Sequence, residues 1–140
     1  MKIDVSKVPA EGMRHHASYD PAALDMDRFD VHLHDAFEVE AFIMKADHEL
    51  VVNVDIAAPL RLTCARCLAE FVRTETANAL FSYAVRPTDT VDIMDDVRQE
   101  IMLSYPMIPV CGVDCKGLCS VCGHNLNLGA CVHQQSASSV

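Results

Sequence analysis

Residues 111–133 read CGVDCKGLCSVCGHNLNLGACVH and hold five of the chain's seven cysteines, closing on a histidine two places after the last. The other two are Cys64 and Cys67, in TCARCL. Two C-x-x-C pairs result, Cys64 with Cys67 and Cys119 with Cys122. A two-residue gap lets the backbone turn so that both sulfurs reach one ion, and zinc takes four such donors in a tetrahedron. Gly123, directly after the second pair, suits a turn that needs positive φ. Each pair is half a coordination sphere. Cys111, Cys115, Cys131 and His133 supply the remainder, so the eight donors fill two closed tetrahedra with none left over.

Two groupings are open. In the first, Cys119, Cys122, Cys131 and His133 form a compact knuckle, while Cys64, Cys67, Cys111 and Cys115 join distant segments. In the second, the two C-x-x-C pairs share one ion and Cys111, Cys115, Cys131 and His133 take another. The first ranks higher because it closes shorter loops in the tail. A single metal with spare thiols is a third option. Full four-donor sites leave no position for substrate or catalytic water, which points to structural metal, one or two zinc ions. Two Zn²⁺ and seven thiolates move the formal charge from −9 to −12, and Arg66 and Lys116 are placed to offset part of it. His124 is expected to be a neighbour of the donors and not one of them.

Metal is also the reading the compartment favours. MKIDVSKVPAEGM has no apolar run of the signal-peptide kind, and no stretch approaches the roughly 20 apolar residues of a membrane span. The expectation is a cytoplasmic protein without a membrane partner. In a reducing compartment clustered cysteines bind metal or do redox chemistry more often than they form disulfides. A reactive C-x-x-C belongs at a helix start in a βαβ unit. CARC instead lies between strand-like stretches and CSVC in a glycine-containing loop, so a thiol redox protein is the weaker alternative.

The charge is acidic, 20 Asp and Glu against 11 Lys and Arg, and uneven: residues 1–60 carry 12 acidic and 5 basic side chains, a net of −7. A phosphate-binding surface should be basic. Broad nucleic-acid binding is therefore disfavoured, with local contact through Arg61, Arg66, Arg73 and Lys116 as the alternative.

The elements that position the cysteines follow from periodicity. Residues 1–35 are irregular in pattern, with MKIDV a short strand and VPAEG a turn. His15 and His16 are expected at the surface, and His32 and His34 on a strand face. Within 36–86, FEVEAFIMKA, HELVVNVDIAAPLRLTC and EFVRTETANALFSYAV alternate as half-buried strands do, with a hairpin at KADHE. Over 91–105, Ile93, Val97, Ile101 and Ser104 recur at helical spacing, and Pro106 stops the helix. Asp95, Asp96 and Glu100 are read as a solvated face with charge suited to the helix start, not as catalytic carboxylates. The Cys-rich tail is 106–133, and 134–140 is expected to fray. The fold class is α+β in a single domain: a curved antiparallel sheet, one amphipathic helix and a zinc-stapled tail.

Three stretches carry a family resemblance: CARCLAEF at 64–71, LSYPMIPVC at 103–111 and CKGLCSVCGHNLN at 115–127. With them the chain resembles the YceD family, the large ribosomal RNA subunit accumulation proteins, from about residue 36 to 133. Ser120 stands where the family usually has proline, and Cys131-Val132-His133 where it commonly closes with C-x-C. Histidine for cysteine keeps a zinc donor. The resemblance implies a role in making, processing or stabilising large-subunit (23S) ribosomal RNA, with no catalytic residues to carry over. Its partners would be that RNA, a large-subunit ribosomal protein or an RNA-processing factor, and no small-molecule substrate is expected.

Overall fold

A computed structural model describes residues 1–24 and 32–134. The segment expected to fray lies, beyond Gln134, outside the described residues. By its internal contacts the chain divides into two compact units, Met1–Leu60 with Arg73–Tyr105, and Arg61–Val72 with Pro106–Val140.

The first unit is mostly antiparallel sheet with one helix. Strand β4 (Phe37–Ala46) and strand β5 (Glu49–Thr63) carry the alternation into structure: Phe37, Val39, Ala41 and Ile43 are buried on one, Leu50, Val52, Val54 and Ile56 on the other, and the residues between them turn outward. Because the side-chain period is two, a slip of one residue would turn the buried set outward; the pairing runs from Glu38 opposite Ala57 to Ala46 opposite Glu49. The hairpin turns on Asp47-His48, where Asp47 takes φ 46°, a conformation that aspartate tolerates better than most residues. Strand β6 (Glu70–Ala84) pairs with β5, as does the short strand β3 (His32–Leu33).

Two findings depart from the sequence reading. The 1–35 segment, irregular in pattern, contains β2 (Met13–Tyr19), which pairs antiparallel with β4 from Met13↔Ile43 to Tyr19↔Phe37. Its sequence MRHHASY has little apolar alternation because the strand is held by its backbone pairing, with His15 and His16 exposed as expected. The second departure is the start of the helix. Residues Thr90–Asp92 form strand β7, paired with β1 (Lys2–Asp4), and helix α1 runs Met94–Ser104, not 91–105. Asp92 marks the boundary: its backbone stays in the strand while its carboxylate accepts the Met94 N–H at 3.1 Å.

Within α1, Met94, Val97 and Ile101 are buried, as is Ile93 just before it. Each fully buried aliphatic side chain contributes about 1.5–3 kcal/mol, so this stripe fixes the helix more firmly than its capping does. Tyr105 is extended, as the residue before Pro106 must be. Asp96 is not simply solvated: it accepts the Tyr83 hydroxyl, and burial with that bond pushes the Tyr83 pKa up.

The second unit contains the turn that joins β5 to β6 and the cysteine-rich tail. It has little regular structure among its described residues, namely the ends of those two strands, a Leu118↔Asn125 bridge and a 3₁₀ turn at Val132–Gln134. Its small core is Cys64, Cys67 and Cys115, packed with Phe71, Val110 and Leu118.

Candidate metal centres

Both C-x-x-C pairs fold into the same knuckle. In the first, the Arg66 N–H donates to Cys64 Sγ at 3.4 Å and the Leu68 N–H to the Cys64 carbonyl at 2.9 Å. In the second, the Val121 N–H reaches Cys119 Sγ at 3.5 Å and the Gly123 N–H the Cys119 carbonyl at 2.9 Å. The residue after each pair takes positive φ, 59° at Leu68 and 73° at Gly123. The turn is what aims both sulfurs of a pair the same way.

The eight donors gather in two fours. Cys64, Cys67, Cys111 and Cys115 place their sulfurs within 4.8 Å of one another, and the sulfurs of Cys119, Cys122 and Cys131 and a ring nitrogen of His133 lie equally close together. This is the first of the two groupings open in the sequence. His124 stays outside both, offering its carbonyl to the Cys119 N–H at 2.8 Å.

All seven cysteines are free thiols. The Cys64–Cys115 and Cys67–Cys111 sulfurs lie 3.7 Å apart in each case. A disulfide needs about 2.05 Å. The edge of a tetrahedron with zinc–sulfur bonds of about 2.3 Å is about 3.8 Å, which those pairs match. In the second cluster Cys131 Sγ is 4.0 Å from His133 Nδ1. The corresponding sulfur–nitrogen edge is about 3.6 Å, so this end is the looser one.

The first cluster is held from several sides. The Ala65 N–H bonds the Pro109 carbonyl at 2.7 Å, which ties the turn to the tail, and the Cys111 N–H points at Cys64 Sγ at 3.4 Å. Asn127 locks the other side: its Nδ2 donates to Cys115 Sγ at 3.4 Å and its Oδ1 accepts the Lys116 N–H at 2.8 Å. Sequence reasoning missed Asn127; its only trace is its place in the HNLN run after the second pair. Arg66 donates from Nη1 to the Cys115 carbonyl at 3.5 Å, so the expected positive charge is at the first cluster.

These bonds divide the thiols electrically. Burial pushes Cys64 up, yet the N–H groups of Cys111, Cys67 and Arg66 outweigh it and bring the pKa to about 6. Cys119 falls to about 6 through the N–H groups of Cys122 and Val121. The Asn127 amide lowers Cys115 against burial. Cys111 moves the other way, to about 12, by bonding Cys115 and by burial. Cys122 also rises, since burial and the sulfurs of Cys119 and Cys131 outweigh the His124 N–H. Each cluster thus holds thiols pushed in both directions, and a ligand set of this kind would release protons on taking up a metal.

The fold and its clusters define a small antiparallel-sheet protein whose two sulfur-rich sets of four donors could each hold a metal. The resemblance read from its motifs recurs in comparison with known families. The model described as "Large ribosomal RNA subunit accumulation protein YceD" matches residues 73–139, a span that takes in Cys111 through His133 and begins after Cys64 and Cys67. Uncharacterized proteins of Mycobacterium bovis and Mycobacterium tuberculosis are each 26% identical over 125 residues, covering 78% of this chain. One of Mycobacterium leprae is 27% identical over 101 residues, covering 60% of this chain and 46% of its own length. The chain spans 60% of the length of the first two relatives. No solved structure matches it. Among the described residues no helix is long and apolar enough to cross a membrane.

Proposed function

We propose that this chain is a cytoplasmic, non-enzymatic accessory factor in the synthesis, processing or stability of large-subunit (23S) ribosomal RNA. It acts through protein contacts, on a large-subunit ribosomal protein or an RNA-processing factor, with at most local contact to the RNA. The observation that carries this reading is the YceD match over residues 73–139, which takes in six of the eight donors. Four donors around each ion would leave no position for a substrate, which favours a structural role for the metal.

Zinc is the metal we assign to both clusters. Thiolate-rich sets with one imidazole suit it, and the 3.7 Å sulfur separations fit its bond length. Bound there, zinc supplies cross-links and nothing reactive. Cys64, Cys67, Cys111 and Cys115 would hold one ion and Cys119, Cys122, Cys131 and His133 the other.

Depletion of the protein tests the function. The expected result is a fall in mature 23S RNA or a build-up of its precursor, with small-subunit RNA unchanged; unchanged large-subunit RNA rejects it. Elemental analysis of protein purified without added metal tests the ligand assignment, with about two zinc ions per chain and no readily alkylated thiol expected.

A second reading, a zinc-stabilised module that binds ribosomal RNA directly, draws on the exposed Arg66 and Lys116 beside the first cluster. It predicts affinity for RNA fragments that falls steeply with salt and drops when Arg61, Arg66, Arg73 and Lys116 are neutralised.

A further inference from the structure

The sheet of the first unit buries one face and leaves the other open. Strand β4 turns Glu38, Glu40, Phe42 and Met44 outward, and β5 turns out Glu49, Asn53 and Asp55. From β6, Asn78 reaches this face, donating to Asn53 Oδ1 at 3.1 Å and to Asp55 Oδ1 at 2.7 Å. From β2, Arg14 lies 3.5 Å from Glu40, and His16 2.9 Å from Glu38.

The register puts Glu40 directly opposite Asp55. Like charges facing one another across a strand pair destabilise a sheet. Among the described residues Arg14 approaches Glu40, whereas Asp55 is met by the neutral Asn78. The same two carboxylates are shared by two hollows in the face. One, of about 410 Å³, is lined by His16, Glu38, Thr76 and Asn78 besides them. The other, of about 190 Å³, adds Arg14, Phe42 and Asn53. Between them the two hollows draw on β2, β4, β5 and β6. Apolar side chains lie open on the same face, Phe42 at 37%, Met44 at 45% and Leu80 at 69% exposure.

Three carboxylates, one arginine and one histidine line these hollows, with exposed apolar groups on the same face, and that combination matches one kind of occupant. Lys and Arg side chains lay their aliphatic stems on apolar surface while their charged heads reach carboxylates. Phosphate backbones are repelled by such a face. We infer that this open sheet face docks an extended Lys- and Arg-rich protein segment, with Glu40 and Asp55 at its centre. The inference rests on the proposed mode of action through protein contacts, and it names the surface and the chemistry of the partner.

Titration of the isotope-labelled full chain with a short synthetic peptide alternating Lys or Arg with Ala tests it by NMR. Amide shifts should cluster on β4, β5 and β6 around Glu40 and Asp55. The double variant Glu40→Gln, Asp55→Asn should bind about 10-fold more weakly at low salt, as expected for charge pairs across an interface. It should melt no lower than the parent, since a repulsion has been removed. Shifts clustered elsewhere, or undiminished affinity in the double variant, overturn the inference. So does the same shift pattern with magnesium chloride alone, which marks a cation site, or with a single-stranded RNA.

The two proposals fail separately. Full rescue of large-subunit RNA by the double variant in a depleted strain overturns the docking face and leaves the accessory-factor function standing. Unchanged large-subunit RNA on depletion overturns that function, while the peptide shifts still decide the face.

Discussion

The two cysteine clusters share one knuckle but differ in what surrounds it. In the first, Cys64, Cys67 and Cys115 are buried and Cys111 alone of the four is exposed, while in the second Cys119 and Cys131 are half-buried and Cys122 and His133 are exposed. The first ties together residues 44 positions apart, Cys67 and Cys111, whereas the second closes the nine-residue step from Cys122 to Cys131. By the chain-entropy account of cross-links, closing the longer loop contributes about 4 kcal/mol and the shorter about 2.5 kcal/mol. With zinc, four thiolates leave the first site a net of −2, and three with a neutral imidazole leave the second −1. The larger charge is in the drier place, and there the extra N–H donors and Arg66 collect. The comparison teaches that the first cluster is built as a fold element and the second as an accessible appendix to it.

The sharpest way to break that contrast is to remove one donor from each. Cys64→Ser should abolish the first site and, with it, the cysteine core of the second unit. Zinc should fall from about two per chain to one or fewer, and amide resonances of residues 61–72 and 106–118 should collapse toward unfolded positions. Cys131→Ser should remove one zinc and leave those resonances in place. Equal losses from the two variants would falsify the division of labour. Next in size is the order of release. A chelator with a metal-sensitive dye should draw one zinc quickly from the exposed cluster and the second much more slowly, so a single phase for both ions contradicts the difference in shielding.

A smaller effect is expected at Asn127, whose amide is bonded to the first cluster. Asn127→Leu deletes the donor to Cys115 Sγ and the acceptor for the Lys116 N–H. A hydrogen bond to a charged group is worth about 1.5–3 kcal/mol, so competition titration should show the first site weakened by about 10-fold or more. The second site should be unchanged.

How far these features could be read from sequence depends on what encoded them. Strands β4, β5 and β6 were legible nearly to the residue because one face of each is apolar or small at period two, and a slip of one residue would expose the core. Strand β2 was not, because its neighbours supply the pairing and MRHHASY buries little. The helix start moved from 91 to 94 for a tertiary reason, the pairing of Thr90–Asp92 with the N-terminal strand. Loop length ranked the grouping of donors that the geometry brings together above its alternative without deciding between them. The role of Asn127 was not, since nothing local tells an asparagine that bonds sulfur from one that faces water. The opposition of Glu40 and Asp55 needed the register and could not be read from either strand by itself.

The finest test of the two clusters lies at the residue after each C-x-x-C. Leu68 and Gly123 occupy the same place in the same turn, with the same N–H to carbonyl bond of 2.9 Å. Both take positive φ. For an L-residue with a side chain that conformation costs about 1–2 kcal/mol, which glycine escapes. Leu68 gains little in return, being 64% exposed. Glycine at this place also makes the unfolded chain more flexible, costing about 0.4–1 kcal/mol. Leu68→Gly should therefore stabilise the protein by about 0.5–1 kcal/mol, and Gly123→Ala, which meets no atom within 4 Å, should destabilise it by a similar amount. Denaturant melts of the zinc-loaded chain measure both. Opposite signs of comparable size would mean that the two knuckles obey one backbone rule and that their difference lies wholly in what covers them. If Leu68→Gly destabilises instead, the leucine is held by a contact its exposure does not reveal, and the first knuckle is not simply a buried copy of the second.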